Sequence, residues 1–284
     1  SETASMKRYM TNRLGVNVNY RHGKFEWFGG CQYQYAKRYE GLVGQLQWNG
    51  YTSRFDGTSV GPRQQVLPVL GMYYSMNETD YFSMSIKGRW QEEYSTLQTY
   101  SYTHQALTDT NAITSAHSHD HRPFLNLNLN YQKNIPSLKT ECFVGAQGIR
   151  FHSDVHGLYT NTINQIPAFT TDERNQYFNI ASGEGRVDTK TSLPHQWIWE
   201  NGILFFTSGG TSFFRTSQTP GASLTQSTYQ FREYNEAAYT QWSGKTGLVN
   251  YMAGIRAENS WFEGRFTDTL LAGLQRHLFK VFPK

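Results

Sequence analysis

The sequence predicts an all-β chain: an antiparallel transmembrane β-barrel of about ten meandering strands, part of a larger barrel, with short periplasmic turns and long extracellular loops. Three observations predict it. Of 284 residues, 15% are aromatic and 25 are glycine, yet only 38% are hydrophobic and 17% charged, a composition that suits strands and offers no window dominated by strong helix formers. Apolar and polar residues alternate with period two in run after run, which gives each strand one greasy and one polar face. The connections between runs alternate strongly in length.

In chain order, Leu14, Val16, Val18 and Tyr20 alternate with Gly15, Asn17 and Asn19 and stop at His22-Gly23. Phe25, Trp27, Gly29, Cys31, Tyr33 and Tyr35 return opposite Glu26, Gly30, Gln32 and Gln34, a hairpin with a minimal turn. Leu70, Met72, Tyr74 and Met76 lead into Asn77-Glu78-Thr79-Asp80, after which Phe82, Met84, Ile86, Gly88 and Trp90 alternate with Ser83, Ser85, Lys87 and Arg89. Leu125, Leu127, Leu129 and Tyr131 alternate with Asn126, Asn128 and Asn130, then turn at Asn134-Ile135-Pro136-Ser137 into a strand near Thr140 to Phe151. Rows of Asn, Gln, Ser and Gly suit a polar lumen better than the Thr, Lys and Glu that usually face bulk water. Further strands fall near Gly183–Thr191, Trp197–Phe206, Tyr229–Trp242 and Leu248–Trp261.

The turns near 22, 78, 135, 194 and 245 are short, and the connections near 40–63, 91–122, 152–182 and 207–228 are long. Short turns on one side and long loops on the other are the pattern of outer-membrane barrels. The long segments, such as Tyr100–Asp120 and Thr207–Ser227, are rich in Ser, Thr, Asn and Gly and are expected to be solvated loops where recognition occurs. Trp27, Phe28, Trp90, Trp197, Trp199, Tyr239, Trp242, Trp261 and Phe262 lie near strand ends, where amphipathic rings belong at the headgroup level.

Other classes fit poorly. No stretch of about 18 consecutive apolar residues is present, so no transmembrane helix is expected. Cys31 and Cys142 lack metal-ligand spacing and sit in strand-like runs, as small apolar residues do. The net charge of +4 comes from scattered Lys and Arg with no basic cluster interleaved with stacking aromatics, so no nucleic-acid partner is expected. There is no Gly-x-Ser-x-Gly elbow, no His-Glu-x-x-His and no phosphate-cradling glycine loop, so no enzyme and no cofactor are expected. The first residues lack an apolar leader core, and the chain is expected to begin partway through a longer protein.

One stretch carries a family resemblance. Tyr229-Gln-Phe231-Arg-Glu233, then Ala237-Ala238-Tyr239, then Gly254-Ile255-Arg256-Ala257-Glu258 are similar to the aromatic-x-aromatic-x-Glu, Ala-Ala-Tyr and Gly-Leu-Arg-x-Glu patterns of the outer-membrane barrels of TonB-dependent receptors of the Bacteroidota type. Leu125 to Tyr131 and Val281-Phe282-Pro283 are weaker matches. The resemblance spans most of the chain and concerns the barrel portion only. It implies a complete receptor of about 22 strands with a plugged lumen, a location in the bacterial outer membrane, and contact with outer-membrane lipid and lipopolysaccharide. It also implies coupling to the TonB complex through a plug region outside this chain, and uptake of a nutrient ligand. A passive or adhesive barrel, or a soluble carbohydrate-binding β-sandwich, is the competing reading.

Two sets of candidate residues emerge. Glu233, Arg256 and Glu258 are strand charges matching the family pattern; lipid exposure would cost each a few kcal/mol, so they are expected to face the lumen and pair across neighbouring strands. His117, His119 and His121 alternate within Ala116 to His121, and on an extended segment their imidazoles share a face and could meet a zinc or copper ion.

Overall fold

The computed structural model describes residues 11–48, 51–105, 108–219, 224–247, 249–268 and 273–283. They form one twelve-stranded antiparallel sheet. The strands are β1 (Thr11–His22), β2 (Phe25–Trp48), β3 (Tyr51–Ser75), β4 (Tyr81–Gln105), β5 (Thr108–His121), β6 (Phe124–Ile135), β7 (Thr140–Ile163), β8 (Ile166–Leu193), β9 (Trp197–Thr219), β10 (Leu224–Thr246), β11 (Val249–Phe266) and β12 (Leu274–Pro283). Neighbours in sequence are neighbours in the sheet, apart from one detail. β5 and β6 lie end to end in a single track between β4 and β7, each pairing with both. The break falls at Arg122-Pro123, where proline supplies no N–H to the ladder; the Arg122 amide donates to the Gln91 carbonyl and the His152 amide to the Pro123 carbonyl, so the sheet closes over the gap.

The all-β antiparallel fold expected of an outer-membrane barrel is therefore present, with twelve strands where about ten were read. Of the two extra strands, β5 comes from a segment taken as a connection, and β12 contains Val281-Phe282-Pro283, which was read as a strand opening. The expected loops at 40–63, 91–122, 152–182 and 207–228 are largely strand: β2, β3, β4, β7 and β8 run for 24, 25, 25, 24 and 28 residues. A membrane-crossing strand needs only about 9–11 residues. The surplus is long hairpins extending beyond the apolar band on one side, so the short-long alternation survives as hairpin reach. Polar Ser- and Thr-rich sequence misleads here because cross-strand hydrogen bonding and pairing, not burial, hold these extensions in the β conformation.

Tight turns close hairpins at both ends of the sheet. On the short side, Gly23 and Gly247 adopt φ of 58° and 60°, a left-handed conformation that costs glycine nothing, and Pro136–Leu138 and Pro194–Gln196 make single 3-10 turns. On the long side, the β7–β8 hairpin ends in Asn164 and Gln165, both at positive φ, as a tight two-residue turn requires.

Register fixes the faces. Val144, Val187, Ile203, Ala238, Ala257 and Val281 are successive cross-strand partners from β7 to β12, an apolar row six strands wide. One residue along, Gly145, Arg186, Leu204, Ala237, Glu258 and Lys280 form the row facing the other way. The usual burial is inverted. On the apolar face Leu14, Ile203 and Trp90 are 73%, 61% and 53% exposed, whereas on the polar face Gln91 and Asn126 are 2% and 8% exposed. Among the described residues the only buried hydrophobic side chains are Ala116 and Ala237, and no second layer packs on the sheet.

Candidate functional site

The polar face carries two charge networks. In the first, Asp188, Gly202, Tyr239 and Arg256 are consecutive partners across β8, β9, β10 and β11. The Tyr239 hydroxyl donates to Asp188 Oδ1 at 3.0 Å, across the strand that holds Gly202. Glycine is needed there: a Cβ at Gly202 would lie 2.3 Å from Tyr239 Cε1 and 2.5 Å from Asp188 Oδ1. Arg186 Nε pairs with Asp188 Oδ2 at 2.9 Å, and Arg256 Nε donates to Glu258 Oε1 at 2.6 Å.

The expected charges are thus on one face, and two of the three meet. Arg256 and Glu258 pair along their own strand, two residues apart, and not between strands. Glu233 stands opposite Phe262 and Ser208, four residues along β10 from the partner of Glu258, roughly 13 Å of strand. Asp188 and Arg186 were not singled out from sequence. The signal that finds them is register: only the pairing of β8 with β10 through β9 places Asp188 beside Tyr239.

The second network lies where the long hairpins begin, on the same polar face. Arg38 Nη1 donates to Glu93 at 3.1 Å and also pairs with Glu40. Arg63 Nη2 donates to Gln91 Oε1 at 3.0 Å and Gln65 Nε2 to Gln34 Oε1 at 2.6 Å, while Arg122 pairs with Asp120. Buried polar groups are usually partnered, as Gln91 is by Arg63 and Asp120 by Arg122, while Arg63 Nε is buried without a partner; the contacts span β2 to β5.

Aromatic residues divide by parity. Trp27, Trp90, Trp197, Trp199, Trp242 and Trp261 share the apolar face, whereas Phe28, Tyr239 and Phe262 fall on the polar one. The nine do not form one belt. Trp199 and Trp242 stack at 6.1 Å, and Tyr234 and Trp261 meet at 5.4 Å. Eight residues of β10 separate these rows, roughly 27 Å of strand.

His117, His119 and His121 do share a face, but on strand β5 and not in a loop. Each is engaged by a neighbour: His119 stacks on Tyr94 at 4.3 Å, His121 meets Trp90 edge-on at 4.6 Å and lies 3.7 Å from Glu92, and His117 Nδ1 is 3.2 Å from Thr96 Oγ1. Successive imidazoles stand two residues apart on an extended chain, about 6.7 Å, too far for all three to reach one ion. Among the described residues no group of three or more His, Cys, Asp or Glu is placed to hold a metal.

Among solved structures the chain is similar to the unliganded ferric citrate transporter FecA, at 10% identity and a TM-score of 0.28 over 99% of this chain and 56% of that one. It is similar to BauA, the ferric preacinetobactin receptor from Acinetobacter baumannii, at 8% and 0.37 over 97% and 61%. It is also similar to the ferric yersiniabactin uptake receptor FyuA from Yersinia pestis, at 9% and 0.31 over 97% and 54%. The chain spans little more than half the length of these proteins. No protein-family model and no curated protein matches it.

Proposed function

We propose that this chain is a wall segment of an outer-membrane receptor barrel that serves TonB-dependent nutrient uptake in a Gram-negative envelope. The observation that supports it is the inverted burial. Large apolar side chains stand exposed between two aromatic rows, while Gln91, Asp120 and Asn126 are buried on the opposite face. Side chains on the concave side of a curved sheet converge and those on the convex side splay, so the more sheltered polar face is the lumen side and the apolar face meets lipid.

In this reading each residue type has one task. The apolar rows hold the wall in hydrocarbon, where every backbone group is satisfied by strand pairing. Glu233, Arg256 and Glu258 line the lumen as structural charges facing a plug. The long hairpins stand on the extracellular side and capture the nutrient, and the plug, outside this chain, is moved by the TonB complex. A soluble carbohydrate-binding sandwich requires two packed layers, and one sheet without a buried apolar core does not supply them.

The test is refolding into detergent micelles, followed by gel mobility with and without boiling and by far-ultraviolet circular dichroism in detergent and in plain buffer. A β-rich species that forms only in detergent and shifts on boiling supports the membrane barrel; a monodisperse β-rich protein in plain buffer overturns it. A plug-encoding stretch upstream of Ser1 in the parent gene separates the receptor from a passive or adhesive barrel.

A further inference from the structure

Apolar rings stand on the polar face as well, and they are gathered in one place. Arg89, Phe124, Phe151, Ile180, Gly210 and Phe231 are successive cross-strand partners from β4 to β10. One step towards the hairpin tips, Phe178, Ser212, Tyr229 and Phe266 are partners from β8 to β11. Phe151 meets Phe178 at 6.3 Å and Tyr229 meets Phe266 at 5.0 Å. Gly210 keeps the row closed, because a Cβ there would lie 2.7 Å from Phe231 Cε1 and 3.2 Å from Ile180 Cγ1. On β10 the rings lie on the hairpin side of Glu233.

At its β4 end the same row runs into the arginine network. Arg38 is paired with Glu40 and Glu93, and Arg122 with Asp120, whereas neither Arg63 nor Arg89 is in an ion pair among the described residues. Arg63 Nη2 reaches only neutral amides, Gln91 at 3.0 Å and Gln65 at 3.5 Å. Arg89 carries its guanidinium over the Phe124 ring, 5.6 Å from the centroid. The Nε atoms of both are buried without a partner. On β4, Arg89 and Glu93 flank the buried Gln91, and Arg63 stands opposite Glu93, so the two unpaired cations belong to one cluster. Arg38, Arg63, Arg89 and Arg122 outnumber Glu40, Glu93 and Asp120, and guanidinium groups drawn out of water without a counter-charge favour an incoming anion.

We infer that the nutrient is an aromatic carboxylate, its carboxylate held by Arg63 and Arg89 and its ring packed on Phe124 and Phe151. The Arg89–Phe124 contact, a cation over a ring face, is the junction of the two halves. Forked donors beside apolar walls are what orients a small organic anion. A neutral glycan would leave both guanidinium groups unmatched, and a bare inorganic anion would leave the rings without a partner. The inference rests on the polar face lining the lumen of an uptake barrel and names the class of nutrient met on the hairpin side of the plug.

The experiment uses the full chain refolded in zwitterionic micelles, with naphthoate, its neutral analogue naphthylmethanol, maltohexaose and sulfate as probes, and binding read by equilibrium dialysis against empty micelles. Naphthoate is retained above the other three. Arg63→Gln and Arg89→Gln each weaken its binding roughly 10-fold, the loss of one charge-assisted hydrogen bond, and Phe151→Ala weakens it about 5-fold by removing a ring contact. Arg150→Gln and Arg232→Gln, at positions that register lines up on the apolar face, leave it unchanged. Where an arginine variant does not refold, salt decides on the original chain: naphthoate binding falls as ionic strength rises and naphthylmethanol binding does not. Equal binding of acid and alcohol, a preference for maltohexaose, or full competition by sulfate with Phe151→Ala harmless overturns the site. A chain that shifts mobility on boiling but gives one of these results sinks this inference alone; a chain that never shifts sinks the membrane reading beneath it.

Discussion

Gly202 shows how much one missing side chain decides. Tyr239 crosses the place where a Cβ would stand and donates to Asp188, so Gly202→Ala forces the ring aside and removes that hydrogen bond, leaving Asp188 only its pair with Arg186. A cost of about 0.5–1.5 kcal/mol follows from the lost hydrogen bond, with the displacement of the ring added to it, measurable by urea unfolding in micelles. Tyr239→Phe, which keeps the ring and removes only the hydroxyl, is expected to cost less. Asp80 is a second such point, on the short-turn side outside the apolar band. Its Oδ1 accepts the Asn134 amide at 2.7 Å, and its own amide donates to Asn77 Oδ1 at 2.7 Å, which ties the β3–β4 turn to the end of β6. The Asn134 amide, followed by the side chains of Asn77 and Thr79, holds the Asp80 carboxyl below its ordinary range. A depressed folded value means this stabilisation is complete above the unfolded aspartate value and is lost as pH falls through the folded one. Asp80→Asn is therefore expected to lower the unfolding temperature at neutral pH and to flatten its decline on acidification; an unchanged acid limb in thermal scans would refute the assignment. Neither contact can be read from the sequence. Gly202 looks like any strand glycine until β8 and β10 are placed on either side of it.

At the scale of elements, alternation carries most of the information. Ile203 and Ala238 lie midway between the Trp199–Trp242 and Tyr234–Trp261 rows, so Ile203→Arg places a charge at the middle of the apolar band. A cost of about 2–4 kcal/mol is expected there, against a much smaller effect for Ser208→Arg on the polar face; equal effects in refolding yield and urea midpoint would mean that the two faces do not differ in solvent. The hairpin extensions behave differently. Leu158 and Glu173 are partners near the tip of β7–β8, and excising 158–173 in favour of an Asn-Gly turn removes paired strand without disturbing the band. Refolding and heat-modifiable mobility are expected to persist. The sequence reading placed these segments in loops because they lack apolar alternation. Polar strands without a buried face leave no periodic hydrophobic signal, and their β conformation comes from pairing with a partner already committed to the sheet.

For the molecule as a whole, composition and period two determined the class of structure: one antiparallel sheet, polar on one face and apolar on the other, with short turns on one side and long hairpins on the other. Those features are local, since each strand's faces follow from its own residues and each tight turn from a glycine, asparagine or proline within it. What only the tertiary structure decided is non-local. Which residues stand side by side depends on the stagger between strands, and a shift of one residue would send every side chain to the other face. Register split the expected aromatic belt, separated Glu233 from the Arg256–Glu258 pair, engaged His117, His119 and His121 with Thr96, Tyr94 and Trp90, and lined up Arg150 with Arg232 across two strands. The direction of curvature, which shelters the polar face and leaves the apolar one open, is likewise a property of the assembled sheet, because no single strand is curved enough to have an inside.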